Sequence, residues 1–258
     1  VGSSNYYNGS SLDYVAWSWK AGGAAVSNTD GTIISQVSAN KDSGFSIIKT
    51  AGGNSSAGTV GHGLSSAPEM VITKGIDNSA YWWIYHSHLN GGVNPEQYGV
   101  RFSLNGDSAQ YDASSGNLWN NTAPTNSVIS LGVSTVTNPI IYAFHSVSGY
   151  SKIGSYTWSA TSYTAGTMVT GLGFTPSFVM IKKINGAGNW VLYDNLRVSG
   201  TQSYALWADL SDAEETSGYQ GIIFDSDGFS AGVGADGNTT GSGGLNQQGG
   251  QYLYMAIA

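Results

Sequence analysis

Apolar residues in this chain come in short bursts separated by glycine, serine, asparagine and aspartate. Phe45–Lys49, Met70–Lys74, Trp82–Tyr85, Tyr98–Leu104, Val128–Leu131 and Ile140–Phe144 are rich in the β-branched and aromatic residues that fit a pleated sheet surface. Similar segments follow at Gly154–Trp158, Phe178–Lys182, Trp190–Tyr193, Ser203–Trp207, Gly221–Phe224 and Tyr252–Ile257, and one more, Tyr14–Trp19, precedes them all. Each has strand length. Between them lie Asp30-Gly31, Asn105-Gly106, Asn185-Gly186, Asp227-Gly228 and Asp236-Gly237, pairs able to take the positive φ of tight hairpins. No segment sustains a 3.6-residue apolar period between caps. Ser203–Glu215 comes nearest, and its Leu-Ser-Asp-Ala-Glu-Glu-Thr end predicts one helical turn or a capped loop. The pattern predicts an all-β protein of sandwich type, jelly-roll or concanavalin-like.

The bursts repeat. Ala57-Gly-Thr-Val-Gly-His-Gly-Leu64 returns as Ala165-Gly-Thr-Met-Val-Thr-Gly-Leu172, an offset of 108 residues. At that offset Pro68 matches Pro176, Val71 matches Val179, Lys74 matches Lys182, Trp82 matches Trp190 and Tyr85 matches Tyr193. The expected organisation is therefore two tandem sandwich-like units related by internal duplication. Residues 1–20 form a linker and leading strand continuing from an unseen upstream part, residues 21–147 the first unit, and residues 148–258 the second.

Composition narrows the chemistry. The absence of cysteine excludes thiol catalysis, Cys-ligated zinc and iron–sulfur centres. A net charge of −7 with only 9 Lys and Arg leaves no basic cluster for a phosphate backbone, so nucleic acid is not an expected partner. No apolar run approaches the length of a membrane-spanning helix, so insertion into a bilayer is not expected. The 37 glycines would suit a disordered chain, but 8 Trp, 16 Tyr and 7 Phe predict a packed one.

Several constellations invite a functional reading. His86 and His88 sit at i and i+2, on one face of a strand, which supplies half of a zinc site, with Glu96 the nearest third ligand. Gly228-Phe-Ser230-Ala-Gly232 has the spacing of a nucleophile elbow, but turn residues follow where a helix is required. Asp225 and Asp227 beside Gly228 resemble the opening of a calcium loop, and a simple Asp-Gly hairpin accounts for them equally well. Asp212 and Glu214 are a nearby carboxylate pair without the alternating strand of a sandwich glycosidase. Among Trp82, Trp83, Trp119, Trp158, Trp190 and Trp207, most fall in strand patterns and read as core. Trp119, in the polar stretch 115–125, is the ring expected to be exposed and to bind a ligand by stacking. No catalytic residue, metal or cofactor is expected.

Particular strings resemble an uncharacterised module at the C-terminus of tail-fibre and other virion proteins of tailed phages, especially marine ones. They are Tyr14-Val-Ala-Trp-Ser-Trp-Lys-Ala-Gly-Gly23, Gly44-Phe-Ser-Ile-Ile48, Gly58-Thr-Val-Gly-His-Gly-Leu64, Trp83-Ile-Tyr-His86, Trp119-Asn-Asn-Thr122 and Gly173-Phe-Thr-Pro-Ser-Phe-Val-Met-Ile-Lys-Lys183, with Tyr252–Ala258 as closing strand. The resemblance implies a non-enzymatic structural protein on the virion surface, as a tail fibre or other host-contacting appendage. It also implies other virion proteins as partners, a homotrimer as the favoured assembly, and a host surface glycan as a ligand. A capsid decoration or head-fibre protein is the alternative in the same setting. A carbohydrate-active depolymerase or a secreted glycan-binding lectin is the alternative from another class.

Overall fold

A computed structural model describes residues 9–10, 12–50, 57–77, 79, 81–102, 106–115, 118–132, 138–158, 166–200, 202–215, 221–231, 245 and 247–258. In the first half the strands are β1 (Val26–Asn28), β2 (Ser35–Asn40), β3 (Phe45–Thr50), β4 (Gly58–Gly61), β5 (Met70–Gly75), β6 (Trp82–His86), β7 (Tyr98–Phe102), β8 (Tyr111–Asp112), β9 (Val128–Leu131) and β10 (Pro139–Phe144). In the second they are β11 (Ser151–Thr157), β12 (Gly166–Thr170), β13 (Phe178–Lys183), β14 (Trp190–Asp194), β15 (Val198–Ser199), β16 (Gln202–Ser203), β17 (Leu206–Trp207), β18 (Ile222–Asp225), β19 (Gly228–Ala231) and β20 (Gln251–Ile257). The described helical residues are two 3-10 turns, Leu89–Gly92 and Pro95–Gln97.

The strands form four sheets. An eight-stranded sheet runs β1-β2-β3-β10-β5-β6-β7-β8, and a five-stranded one runs β11-β20-β13-β14-β17. A second five-stranded sheet runs β12-β19-β18-β16-β15, and β4 pairs with β9 alone. Every ladder is antiparallel. Five successive strands of the eight-stranded sheet, β3-β10-β5-β6-β7, follow the same order as the five-stranded sheet β11-β20-β13-β14-β17.

Side chains alternate across a strand, so neighbouring residues in these central strands feed different cores. Val71, Trp83, Tyr85, Ile141 and Ala143 point to one side of the eight-stranded sheet and pack with Val60, Ile129 and Leu131 of the β4–β9 pair. Met70, Ile84 and Phe144 point to the other side, where they meet Phe178, Met180, Trp190, Leu253 and Met255 of the second half. Val179, Ile181, Val191, Tyr252 and Tyr254 face outward again and are covered by Met168, Ile222 and Phe229. The described residues therefore form a stack of four sheet layers enclosing three cores, with the eight-stranded sheet and the β11-β20-β13-β14-β17 sheet back to back in the middle. Phe178–Lys183 is buried at all six positions for this reason, and the central strands read as unbroken apolar runs instead of alternating ones.

Polar contacts also cross the middle. Trp190 donates its Nε1–H to the Arg101 carbonyl at 2.9 Å, the Gln110 amide donates to Ile184 at 3.0 Å, and the Gly188 amide donates to Asp107 at 2.7 Å. Lys182, fully buried, donates from Nζ to the carbonyls of Asp107 (3.2 Å), Ser108 (2.8 Å) and Gly188. Burial lowers its pKa to about 8, with Asp209 and Asp107 opposing the shift.

Three expectations are corrected. Tyr14–Trp19 lies outside every strand; Trp17 and Trp19 instead set their rings edge-on to Phe178, with centroids 5.6 Å away in each case. Of the two readings for the end of Ser203–Glu215, the helical turn is not formed and residues 211–214 are a loop, while Ser203 and Trp207 belong to short strands in different sheets. None of the predicted pairs Asp30-Gly31, Asn185-Gly186 and Asp227-Gly228 takes a positive φ; the described pair that does is Asn90-Gly91, with φ 52° and 66°. The turn between β18 and β19 is Ser226-Asp227, with Asp225 facing Gly228 across it. Glycine is needed at 228 for close approach, since a Cβ there would lie 2.0 Å from the Val169 carbonyl oxygen. Asn105, Asp236 and Gly237 lie outside the described residues.

Candidate functional site

At the β6-β7-β8 edge of the eight-stranded sheet, four side chains converge on one corner. Register places Trp83 opposite Arg101 and Gly99 opposite Tyr111, so the β7 guanidinium rises between rings from both neighbouring strands. The Arg101 Cζ lies 4.8 Å from the centre of the Tyr81 ring, 5.1 Å from Trp83 and 5.3 Å from Tyr111. These are cation–π distances, and Arg is the cation best suited to them because its planar charge can lie on a ring face. Gly99 makes the arrangement possible: a Cβ there would sit 2.6 Å from Leu118 Cδ1 and 3.4 Å from the Trp83 ring.

The corner is half open. Trp83 is 6% exposed, whereas Tyr81 and Tyr111 are 49% and 47% exposed. Two donors inside it have no hydrogen-bond partner, Trp83 Nε1 and Arg101 Nε. Among the described residues no carboxylate pairs with Arg101; the ion pairs found there are those of Arg197 with Asp194 and Glu214. A buried donor without an acceptor costs about 1–3 kcal/mol, so a corner that keeps two of them is unsatisfied as it stands.

The residues singled out in the sequence lie elsewhere, and most are already engaged. Trp119 is 2% exposed, which corrects the expectation of an open stacking ring. Its indole donates to the Tyr98 carbonyl at 3.0 Å and meets the Tyr85 ring edge-on at 5.9 Å. The physical reason is the narrowness of the outer β4–β9 sheet, which leaves Trp119 and Leu118 to roof the rest of that core. His86 is buried, its Nε2 lies 3.4 Å from the Tyr254 carbonyl and its Nδ1 accepts the His88 amide at 3.1 Å. Burial drives its pKa down to about 3, helped by His88. Both imidazole nitrogens of His86 are thus occupied, and among the described residues no three His, Cys, Asp or Glu gather.

Asp227 accepts the amides of Gly171 at 3.1 Å and Gly173 at 2.6 Å, and Asp225 accepts the Ser230 hydroxyl. The acidic pair therefore ties the β18–β19 turn to the end of β12, and Ser230 sits on strand β19 with a carboxylate, not an imidazole, as its partner. Glu214 pairs with Arg197 while Asp212 is exposed, so these two carboxylates do not share one setting. Trp158 and Trp190 are core, as their strand patterns predicted, and Trp207 is buried with them; Trp82, expected in the core as well, is only half-buried and stacks with Tyr142 at 6.4 Å.

Sequence reasoning missed the Arg101 corner. The available signal was an arginine inside an apolar strand of a chain with few cations. It also missed a pair on the first half's other flank. Ser65 Oγ lies 3.2 Å from His145 Nε2, and His145 Nδ1 lies 2.8 Å from the Ser146 carbonyl, which requires the proton on Nδ1 and makes Nε2 the acceptor.

The fold and this corner define an all-β protein of stacked antiparallel sheets that carries an aromatic and guanidinium surface at one sheet edge. The chain belongs to the family described as Domain of unknown function (DUF7483), whose model matches residues 1–258. Comparison with curated proteins found no match, and comparison with solved structures found none.

Proposed function

We propose that the chain is a virion structural protein, a tail-fibre or other host-contacting appendage component that works by surface binding and not by catalysis. One observation carries this reading. Outside the Ser65–His145 pair, the groups capable of chemistry named above are committed to structure, His86 to a backbone carbonyl, Asp227 to backbone amides, and Asp194 and Glu214 to Arg197, while aromatic surface stays open at the Arg101 corner. The resemblance of its strings to the phage module supports the same reading, as does a layered sheet body whose outer edges a neighbouring copy can cover. On this reading it sits on the virion surface among other virion proteins, as a homotrimer, and contacts a host glycan. Cryo-electron microscopy of particles carrying the chain tests it: density on a three-fold tail appendage is expected. Density spread over the capsid lattice would replace it with a decoration protein.

A second reading has one specific observation in its favour. Ser65 is exposed and shares a hydrogen bond with His145, which is the geometry of a nucleophile and base. An acyl-transferring enzyme built there would label at Ser65 with a fluorophosphonate, and the label would vanish in His145→Ala. The structural reading expects no labelling of the wild type.

A further inference from the structure

We infer that the Tyr81–Trp83–Arg101–Tyr111 corner binds a carboxylate-bearing pyranose, a uronic or sialic acid unit of an acidic polysaccharide. The inference rests on the binding role proposed above and names the ligand class for it. The guanidinium carbon lies over three rings, at 4.8, 5.1 and 5.3 Å from their centres, while its Nε finds no acceptor. Arg101 Nε and Trp83 Nε1 are both buried, both donors and both without a partner, and they belong to cross-strand neighbours. Trp83 is itself more than nine-tenths buried. The group that satisfies a guanidinium edge best is a carboxylate, in a bidentate charge-assisted pair. No such group is supplied by the described residues of the chain, and on this inference the ligand supplies it.

The two exposed tyrosine rings narrow the class further. Each offers an apolar face beside the cation and a hydroxyl at its tip, a combination that suits a flat, amphipathic ring better than a flexible carboxylate chain. Long-range attraction does not help, since the chain carries −7 overall and Asp112 is exposed next to Tyr111. Recognition therefore depends on the contact itself. Neutral sugars would stack on the same rings but leave both donors empty, and that difference sets the specificity.

The test is calorimetric titration of the full chain with two matched pairs, trigalacturonate against its carboxyl-reduced trisaccharide and sialyllactose against lactose. At least one acidic member should bind at least about tenfold tighter than its neutral partner, the size of one charge-assisted hydrogen bond. Arg101→Gln should erase that preference, and Arg101→Lys should restore only part of it, because the fork is lost while the charge stays. Tyr111→Ala, at an exposed edge position that leaves the core intact, should weaken both members of the pair. Equal binding within both pairs, no binding of either acidic sugar, or an acidic preference that survives Arg101→Gln would each overturn the inference. So would tri-glutamate binding as well as the acidic sugar, which would assign the corner to an acidic protein partner. Particles separate this inference from the role beneath it. If particles carrying Arg101→Gln still adsorb to cells like wild type, the corner is not the contact and the appendage role stands. If the wild-type chain is absent from particles, that role fails and the titration judges the corner alone.

Discussion

The two halves share the order of their central strands and differ in what covers them. In the second half a five-stranded outer sheet lies over β13 and β14, whereas among the described residues of the first the outer layer is the pair β4 and β9, and a loop residue, Trp119, fills the gap. The consequence shows at one matched ladder position. Val191 and Trp207 face each other on β14 and β17, both buried. At the equivalent place on β6 and β7 stand Trp83 and Arg101, at the half-open corner. One framework thus supports an apolar pair where the cover is wide and a cationic, unsatisfied one where it is narrow. A surface for binding arises where the packing is incomplete.

The largest effect should come from separating the halves. Their shared core joins Met70, Ile84 and Phe144 to Phe178, Trp190 and Met255, and either half alone would expose that whole face to water. Residues 21–147 and 148–258, expressed apart, are expected to lack a cooperative thermal transition and to bind an apolar dye. A sharp transition in either piece would show that the middle core is an interface between independent units.

Matched tryptophans sharpen the same point at smaller scale. Trp190 is 2% exposed, lies in the shared core and donates to the Arg101 carbonyl, while Trp82, its counterpart at the 108-residue offset, is only half buried. Trp190→Ala should cost about 4 kcal/mol and Trp82→Ala about half of that, measured by denaturant unfolding. Equal costs would mean that the two halves share the middle core evenly.

How far the sequence reached depended on what each residue touches. The central strands were legible because both faces are buried, so Met70–Ile72 and Phe178–Ile181 carry apolar side chains without interruption. β2 was not, because Ser-Gln-Val-Ser-Ala-Asn buries serine: Ser35 donates to the Gly61 carbonyl and Ser38 to the Gly23 carbonyl, contacts invisible in hydropathy. Trp119 was misplaced because polar neighbours suggest a surface loop, while the missing outer strands that draw it inward are a fact of topology. The Arg101 corner needed register, since Tyr81, Trp83, Arg101 and Tyr111 become neighbours only when β6, β7 and β8 pair.

Titration gives the next effect in size. His86 holds a pKa of about 3 in the folded chain against 6.5 when exposed, so it stays neutral while the unfolded chain takes up a proton. Its contribution is complete above about pH 6.5 and is lost as pH falls toward about 3; His62 and His88 shift the same way. Every histidine lies in the first half, so the histidine part of the acid response arises there. A fall of roughly 10 °C in Tm across this range is expected, and His86→Gln should flatten it. In base the sign changes with the group. Lys182, lowered to about 8, adds stability as pH rises from about 8 toward 10.5, because the folded chain releases its proton first. Tyr85, Tyr252 and Tyr254 are raised above 10.0 by burial, so their contribution is present below about pH 10 and disappears above it.

The smallest effect is the most discriminating. If the Arg101 corner exists for a ligand, its guanidinium should add little to folding, because the gain from three ring faces is offset by a buried Nε with no acceptor. Arg101→Met removes that donor and keeps an unbranched side chain against Trp83, Tyr81 and Tyr111. The expected change in unfolding free energy is about 1 kcal/mol or less, with stabilisation the favoured direction, as at sites where function rather than packing selects the residue. The reciprocal change at the matched position, Trp207→Arg, sets the scale, since it would place an unpaired charge beneath the five-stranded cover. A loss above about 2 kcal/mol in Arg101→Met would make the guanidinium a structural element and remove the contrast between the halves. A neutral result, with binding lost, would locate the difference between them in the ligand that the first half leaves room for.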